Sequence, residues 1–158
     1  MKTYDINDIA DYVIRRLTAD ENTALIHLKL QKLLYYIQAW SLGINGNRMF
    51  DGKFQAWVHG PVNRTIYDRF QHKSLYGFIG KDDLRETCEN PSEQDAEFVD
   101  YILDNYAGFT GTELERMTHS ELPWQEAREG YEPSARCTVE ISEQTMQSFY
   151  AQRWKEIN

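Results

Sequence analysis

The segment HLKLQKLLYYIQAW, residues 27–40, constrains this chain more than any other. On a 3.6-residue period Leu30, Leu33, Leu34, Ile37 and Trp40 line one side, and Leu28, Tyr35 and Tyr36 widen the apolar arc. A helix apolar over so much of its circumference has to be surrounded by other elements. The segment predicts a central helix over about 27–42, with Gly43 as a left-handed C-cap. The rest of the chain then supplies the layers that cover it.

The covering elements are mostly helical. Ile6, Ile9, Ala10, Val13, Ile14 and Leu17 share one helical face, with Asp5 or Asn7 as its cap. A polar break, TADENTA at 18–24, separates it from the central helix. After Gly60-Pro61, the i+4 repeat of Val62, Ile66 and Phe70 predicts a helix over about 63–72. Ser92 opens another helix, to about Tyr106, that buries Ala96, Val99, Ile102, Leu103 and Tyr106. Two short helices follow from the capping-box strings Thr110-x-x-Glu113 and Thr118-x-x-Glu121, with Pro123 in a first turn. Gly130 and Pro133 mark a loop, and Ser142 opens a last helix with Met146, Phe149, Tyr150 and Trp154 on its apolar side. NRMFDGKFQAW reads as a short hairpin turning at Asp51-Gly52, and RCTVEIS as a strand with Cys137, Val139 and Ile141 inward that adds to the same small sheet. The expectation is a mainly α fold: a single compact multi-helix domain spanning 1–158, with a minor short β element.

Charge and composition narrow the function classes. No apolar run approaches the roughly 20 residues a membrane-spanning helix needs, and the N-terminus has acids where a signal peptide needs an apolar centre. A cytoplasmic protein without membrane contact is expected. Net charge is −8, unfavourable for sequence-independent nucleic-acid binding. The charge is unevenly spread: residues 1–81 carry 11 Lys+Arg against 7 Asp+Glu, and residues 82–158 carry 6 against 18. Glu93, Glu97, Asp100 and Asp104 form a narrow acidic stripe, either a solvated surface or a face that steers a basic protein partner.

No catalytic constellation emerges. The stretch QAWVHGPVNRTIYDRF (55–70) lacks the Gly-x-Ser-x-Gly of a nucleophile elbow and the Gly-Lys-Ser/Thr of a phosphate loop. His59 is a conceivable general base, but a lone His beside Trp and Gly is more often a packed or surface residue. Cys88 and Cys137 are read as reduced thiols, and the four His show no ligand spacing, so neither metal nor cofactor is expected. Ala56, Trp57, Gly60, Pro61 and Val62 read instead as an architectural bend, with Trp57 and Val62 packed on either side of a Gly-Pro corner.

Three stretches carry a family resemblance: LKLQKLLYYIQAW (28–40), FQAWVHGPVNRTIYDRF (54–70) and THSELPWQEAR (118–128). Together they resemble the Panacea domain, the group of SocA-like antitoxins and phage-associated GepA-like proteins. The family more often shows Tyr where this chain has His59, so no role for a phenol carries over. The resemblance implies a mainly helical antitoxin of a two-gene toxin–antitoxin system. With no catalytic constellation in the chain, the leading expectation is a non-enzymatic protein that neutralises a cognate protein toxin, expected to be basic, by direct binding. Some members resemble adaptors that deliver the toxin to a ClpXP-type protease. Two further functions stay open: a DNA-binding autoregulator, supported slightly by Lys29, Lys32, Arg64 and Arg69, and an enzyme centred on His59. Candidate partner-binding residues are Tyr35, Tyr36, Trp57, His59, Tyr67 and Trp124 as anchors, and Glu93, Glu97, Asp100 and Asp104 as the steering face.

Overall fold

The computed structural model describes residues 2–19 and 24–158. Four positions of the polar break, 20–23, lie outside the described residues. The element order is β1 (Tyr4–Asp5), α1 (Ile6–Thr18), α2 (His27–Trp40), a π-helical turn (Ser41–Asn45), β2 (Phe50–Asp51), β3 (Gln55–Trp57), β4 (Gly60–Val62), α3 (Arg64–Arg69), a 3₁₀ turn (Lys81–Asp83), α4 (Glu93–Tyr106), α5 (Gly111–His119), α6 (Leu122–Ala127) and α7 (Glu143–Ile157). The fold is mainly helical with only short strands, as expected.

All fourteen residues of α2 are buried, including His27, Lys29, Gln31, Lys32 and Gln38. Helices α1, α4, α5 and α7 pack directly against it. Four of its polar side chains, Lys29, Gln31, Lys32 and Gln38, bond to backbone groups of the covering segments. Gln38 Oε1 accepts from the amides of Met49 (2.9 Å) and Phe50 (3.3 Å), and its Nε2 donates to the Phe50 carbonyl (2.8 Å). About two turns earlier on the same helix, Gln31 Oε1 accepts from Asn63 N (2.8 Å) and Nε2 donates to Asn63 O (3.3 Å). Each glutamine thus acts as an artificial strand edge, satisfying backbone groups that burial would otherwise strand.

Asp5 caps α1 by accepting from Asn7 N. Ser92 and Ser142 cap α4 and α7 through the amides of Asp95 and Thr145. Thr110 and Glu113 complete a reciprocal capping box. The second expected box does not form. Thr118 lies inside α5 with its hydroxyl on Glu115 O, and Glu121 is buried. Gly43 is not the left-handed cap either. Gly46 (φ 72°) takes that conformation, and Gly43 sits where a Cβ would lie 2.7 Å from Tyr150 Cβ and 2.8 Å from Ala151 N. The chain continues past Trp40 in a π turn, and a glycine is needed there because α7 crosses in backbone contact.

The β elements shift relative to expectation. Asp51-Gly52 makes no hairpin; β2 instead pairs in parallel with β1 (Tyr4↔Phe50, Asp5↔Asp51). The hairpin lies one step later, between β3 and β4 (Gln55↔Val62, Ala56↔Pro61, Trp57↔Gly60). Gly60-Pro61 is therefore the returning arm of a hairpin, and Asn63 caps the following helix through Ile66 N (3.0 Å). RCTVEIS does join this sheet, with Ala56 N on Val139 O (2.8 Å) and Ile141 N on Phe54 O (2.7 Å). Cys137 and Ile141 face the core, but Val139 is exposed.

Candidate functional site: the hairpin tip and its pocket

Gly60, at φ 93°, occupies backbone space closed to other residues, and a Cβ there would fall 2.6 Å from Lys32 Cε and 2.9 Å from Thr118 Oγ1. Lys32 is wholly buried, and its Nζ donates to the Pro61 carbonyl at 2.7 Å. Burial, partly opposed by the Glu115 carboxylate, lowers its pKa to about 7. The three stretches that carry the resemblance therefore meet at one point: Lys32 from the first, Gly60-Pro61 from the second and Thr118 from the third.

The third stretch also braces the hairpin from behind. Trp124 Nε1 donates to Trp57 O at 2.8 Å, and its ring stacks on His119 (4.0 Å, 20°). Arg128 is buried, with Nη1 on Ala56 O (2.9 Å) and Nη2 on Ala135 O (2.6 Å) and Glu132 O (3.0 Å). It ties β3 to the loop that leads into Cys137. Ala56, Trp57, Gly60, Pro61 and Val62 thus form a hairpin bracket tied to the core by these bonds.

A pocket of about 410 Å³ opens at the tip of this bracket. Trp57, His59 and Tyr67, separate candidates along the sequence, all line it, together with Arg64 and Arg136. The Trp57 and Tyr67 rings meet at 4.8 Å and 60°, and the Arg64 guanidinium lies 5.8 Å from the Tyr67 centroid. Trp57 Nε1 donates to Gln55 Oε1 (2.8 Å), which fixes the indole. His59 Nδ1 is 3.2 Å from Glu115 Oε1, and its ring stands edge-on to Tyr76 at 6.4 Å. Tyr76 is exposed. Arg64, Tyr76 and Arg136 are not among the anchors expected from the sequence. Tyr76 falls in a stretch, 74–91, where the sequence shows neither helical nor strand periodicity, so nothing along the chain marks it as part of this surface.

The remaining candidates separate. Tyr35 and Tyr36 have no exposure and present no surface to a partner in this structure. Tyr36 stacks on Tyr106 (4.1 Å), and its hydroxyl donates to Glu121 Oε1 (3.0 Å), which also accepts from Tyr150 (2.7 Å). Burial raises the pKa values of Tyr35, Tyr36 and Tyr150 and also that of Glu121, whose other oxygen receives Arg153 (3.0 Å). Glu93, Glu97 and Asp104 of the acidic stripe are exposed. Asp100 is half-buried and occupied, accepting from Tyr12 OH (2.7 Å) and Arg16 Nε (2.9 Å) to fasten α1 to α4.

The basic residues that would contact DNA do not form a face. Lys29 and Lys32 are buried, and Arg69 binds Asp11 (2.5 Å), leaving Arg64 as the exposed member. No group of three or more His, Cys, Asp or Glu side chains is arranged to hold a metal ion among the described residues. Among those residues no helix is long and apolar enough to cross a membrane.

The chain is 28% identical over 135 residues to Antitoxin SocA of Caulobacter vibrioides (strain NA1000 / CB15N), an alignment that covers 77% of this chain and 72% of that protein. No solved structure matches significantly. Residues 30–125, which run from α2 through the hairpin to Trp124 and so contain the whole bracket, match a family model, and the chain accordingly belongs to the Antitoxin SocA-like, Panacea domain family.

Proposed function

We propose that this chain is an antitoxin that neutralises a cognate protein toxin by direct binding, with the hairpin-tip pocket as its anchoring site. Family membership supports the antitoxin role. The observation that carries the binding reading is the convergence of Trp57, His59 and Tyr67 on one open pocket, held from behind by Trp124. Binding energy at protein interfaces concentrates in aromatic and Arg anchors on preorganised supports. Here the indole is presented on a hairpin tied to the core by Lys32 and Arg128, and beside it stand the phenol and Arg64 of α3 and Arg136 of the loop before Cys137. Exposed Glu93, Glu97 and Asp104 lie on a different element and act at longer range, steering a basic toxin.

The test is co-expression with the toxin followed by affinity measurement. Arg136→Ala combined with Tyr76→Ala alters exposed side chains only, and is expected to weaken toxin binding at least about tenfold and to reduce growth rescue. Unchanged affinity and rescue in that variant would remove the pocket from the interface. His59→Ala is expected to weaken toxin binding and protection together; loss of protection with folding and toxin binding intact would favour an enzyme centred on His59.

A further inference from the structure

A second surface lies away from the hairpin. Between α4 and α7 a groove of about 190 Å³ has Trp40, Tyr106 and Met117 in its floor and the Trp154 indole in its wall. Three large apolar side chains stand on its edge: Tyr101 is 48% exposed, Phe109 39% and Ile157 63%. Trp40 Nε1 donates to Tyr106 OH (2.8 Å), which pairs these two polar atoms of the floor, and Asn105 is the one amide side chain in an otherwise aromatic and aliphatic lining. Exposed aromatics and an isoleucine around one cleft mark an interaction surface rather than ordinary scatter.

Two carboxylates border the groove on its α4 side, while Arg153 of α7, the cation that acts on Tyr106, is already held by Glu121 (3.0 Å). Glu97 and Asp104 lie one helical turn before and one turn after Tyr101 on α4, and both are exposed. Neither is in an ion pair among the described residues. The two carboxylates are therefore about 10 Å apart along the helix, flanking the aromatic edge. A partner helix that fills the groove with residues at i, i+3, i+4 and i+7 meets both carboxylates with Lys or Arg two turns apart on its flank. A second copy of this chain suits the surface poorly, because a two-fold contact sets the same acids against each other.

We infer that the α4–α7 groove docks a lysine- or arginine-flanked amphipathic helix of the toxin. That the occupant belongs to the toxin rests on the direct-binding reading above; the chemistry of the groove stands apart from it.

Two designed helical peptides of about 18 residues test the groove directly. They share one leucine face and differ only in carrying Lys or Glu on the flank. Titration into the ¹⁵N-labelled chain is followed through amide and indole N–H shifts. The Lys peptide is expected to move the indoles of Trp40 and Trp154 and to bind at least about tenfold more tightly than its Glu twin. Phe109→Ala with Ile157→Ala, and separately Glu97→Lys with Asp104→Lys, are each expected to weaken it about fivefold or more. The charge-matched reversal Glu129→Lys with Glu132→Lys is expected to leave the affinity within about twofold.

Equal affinity for the twins, equal effects of the two reversals, shifts confined to Trp57 and Trp124, or no binding would each overturn the proposal. So would a concentration-dependent dimer abolished by Ile157→Ala, which assigns the groove to a second copy. Growth rescue by the unaltered chain, measured in parallel, separates the two failures. Rescue without peptide binding sinks the groove alone, whereas peptide binding without rescue of any toxin sinks the antitoxin reading and leaves a groove for basic helices.

Discussion

Lys32 holds an ammonium group with no exposure against a single carbonyl, and that makes its protonation a folding variable. Its folded pKa of about 7 lies below the value of about 10.4 for an unfolded lysine. Between those values the unfolded chain binds the extra proton, so stability rises with pH; below the folded pKa the charged form is buried at full cost. The slope approaches about 1.4 kcal/mol per pH unit from roughly pH 8 to 10. Above about pH 10 unfolded tyrosines ionise while Tyr35, Tyr36 and Tyr150, with raised pKa values, do not, and stability falls again. Urea unfolding across this range is expected to show the rise in the native chain and to lose it in Lys32→Met. A flat native profile would mean the amine is solvated. Gly43→Ala places a methyl group against the α7 backbone and is expected to cost about 2–3 kcal/mol, read as a lower urea midpoint. None of these demands is visible at the residue itself, since a lysine and a glycine look ordinary until a distant element is packed on them.

At the scale of elements, helices are legible wherever an apolar face and a cap coincide. Asp5, Ser92, Thr110 and Ser142 all cap the helices expected of them, because a cap is a contact within three residues. Thr118-x-x-Glu121 has the same letters, yet Glu121 is drawn into the core by Tyr36, Tyr150 and Arg153 from α2 and α7. The hairpin falls away from its expected place for a related reason. Asp51-Gly52 suits a tight turn, but Phe50 is claimed by Tyr4 as a parallel partner and by Gln38 as an amide clamp. Gln38→Leu keeps the side-chain size while leaving the amides of Met49 and Phe50 without their buried acceptor. It is expected to cost about 2–4 kcal/mol. Loss of hydrogen-exchange protection at residues 49 and 50 ahead of the rest of the chain would show that the clamp is local.

For the whole molecule, the uneven charge sets how partners approach. Glu93→Lys with Glu97→Lys is expected to slow toxin association at low salt more than it speeds dissociation, with the difference fading as salt rises. Equal on-rates at low salt would end the steering role. Asp100 stays out of that experiment, because its reversal unfastens α1 from α4. With Lys29 and Lys32 sealed inside, the chain is expected not to shift its own upstream DNA in a gel at about 0.15 M salt. By itself the sequence determined the central helix, most of the helices around it and the family, because periodicity, caps and motif strings are short-range signals along one chain. Only the tertiary structure decided that Trp57, His59 and Tyr67 share a pocket while Tyr35 and Tyr36 lie in the core. Burial depends on what packs against a side chain, and Tyr36 and Tyr67 differ in their neighbours far more than in their chemistry.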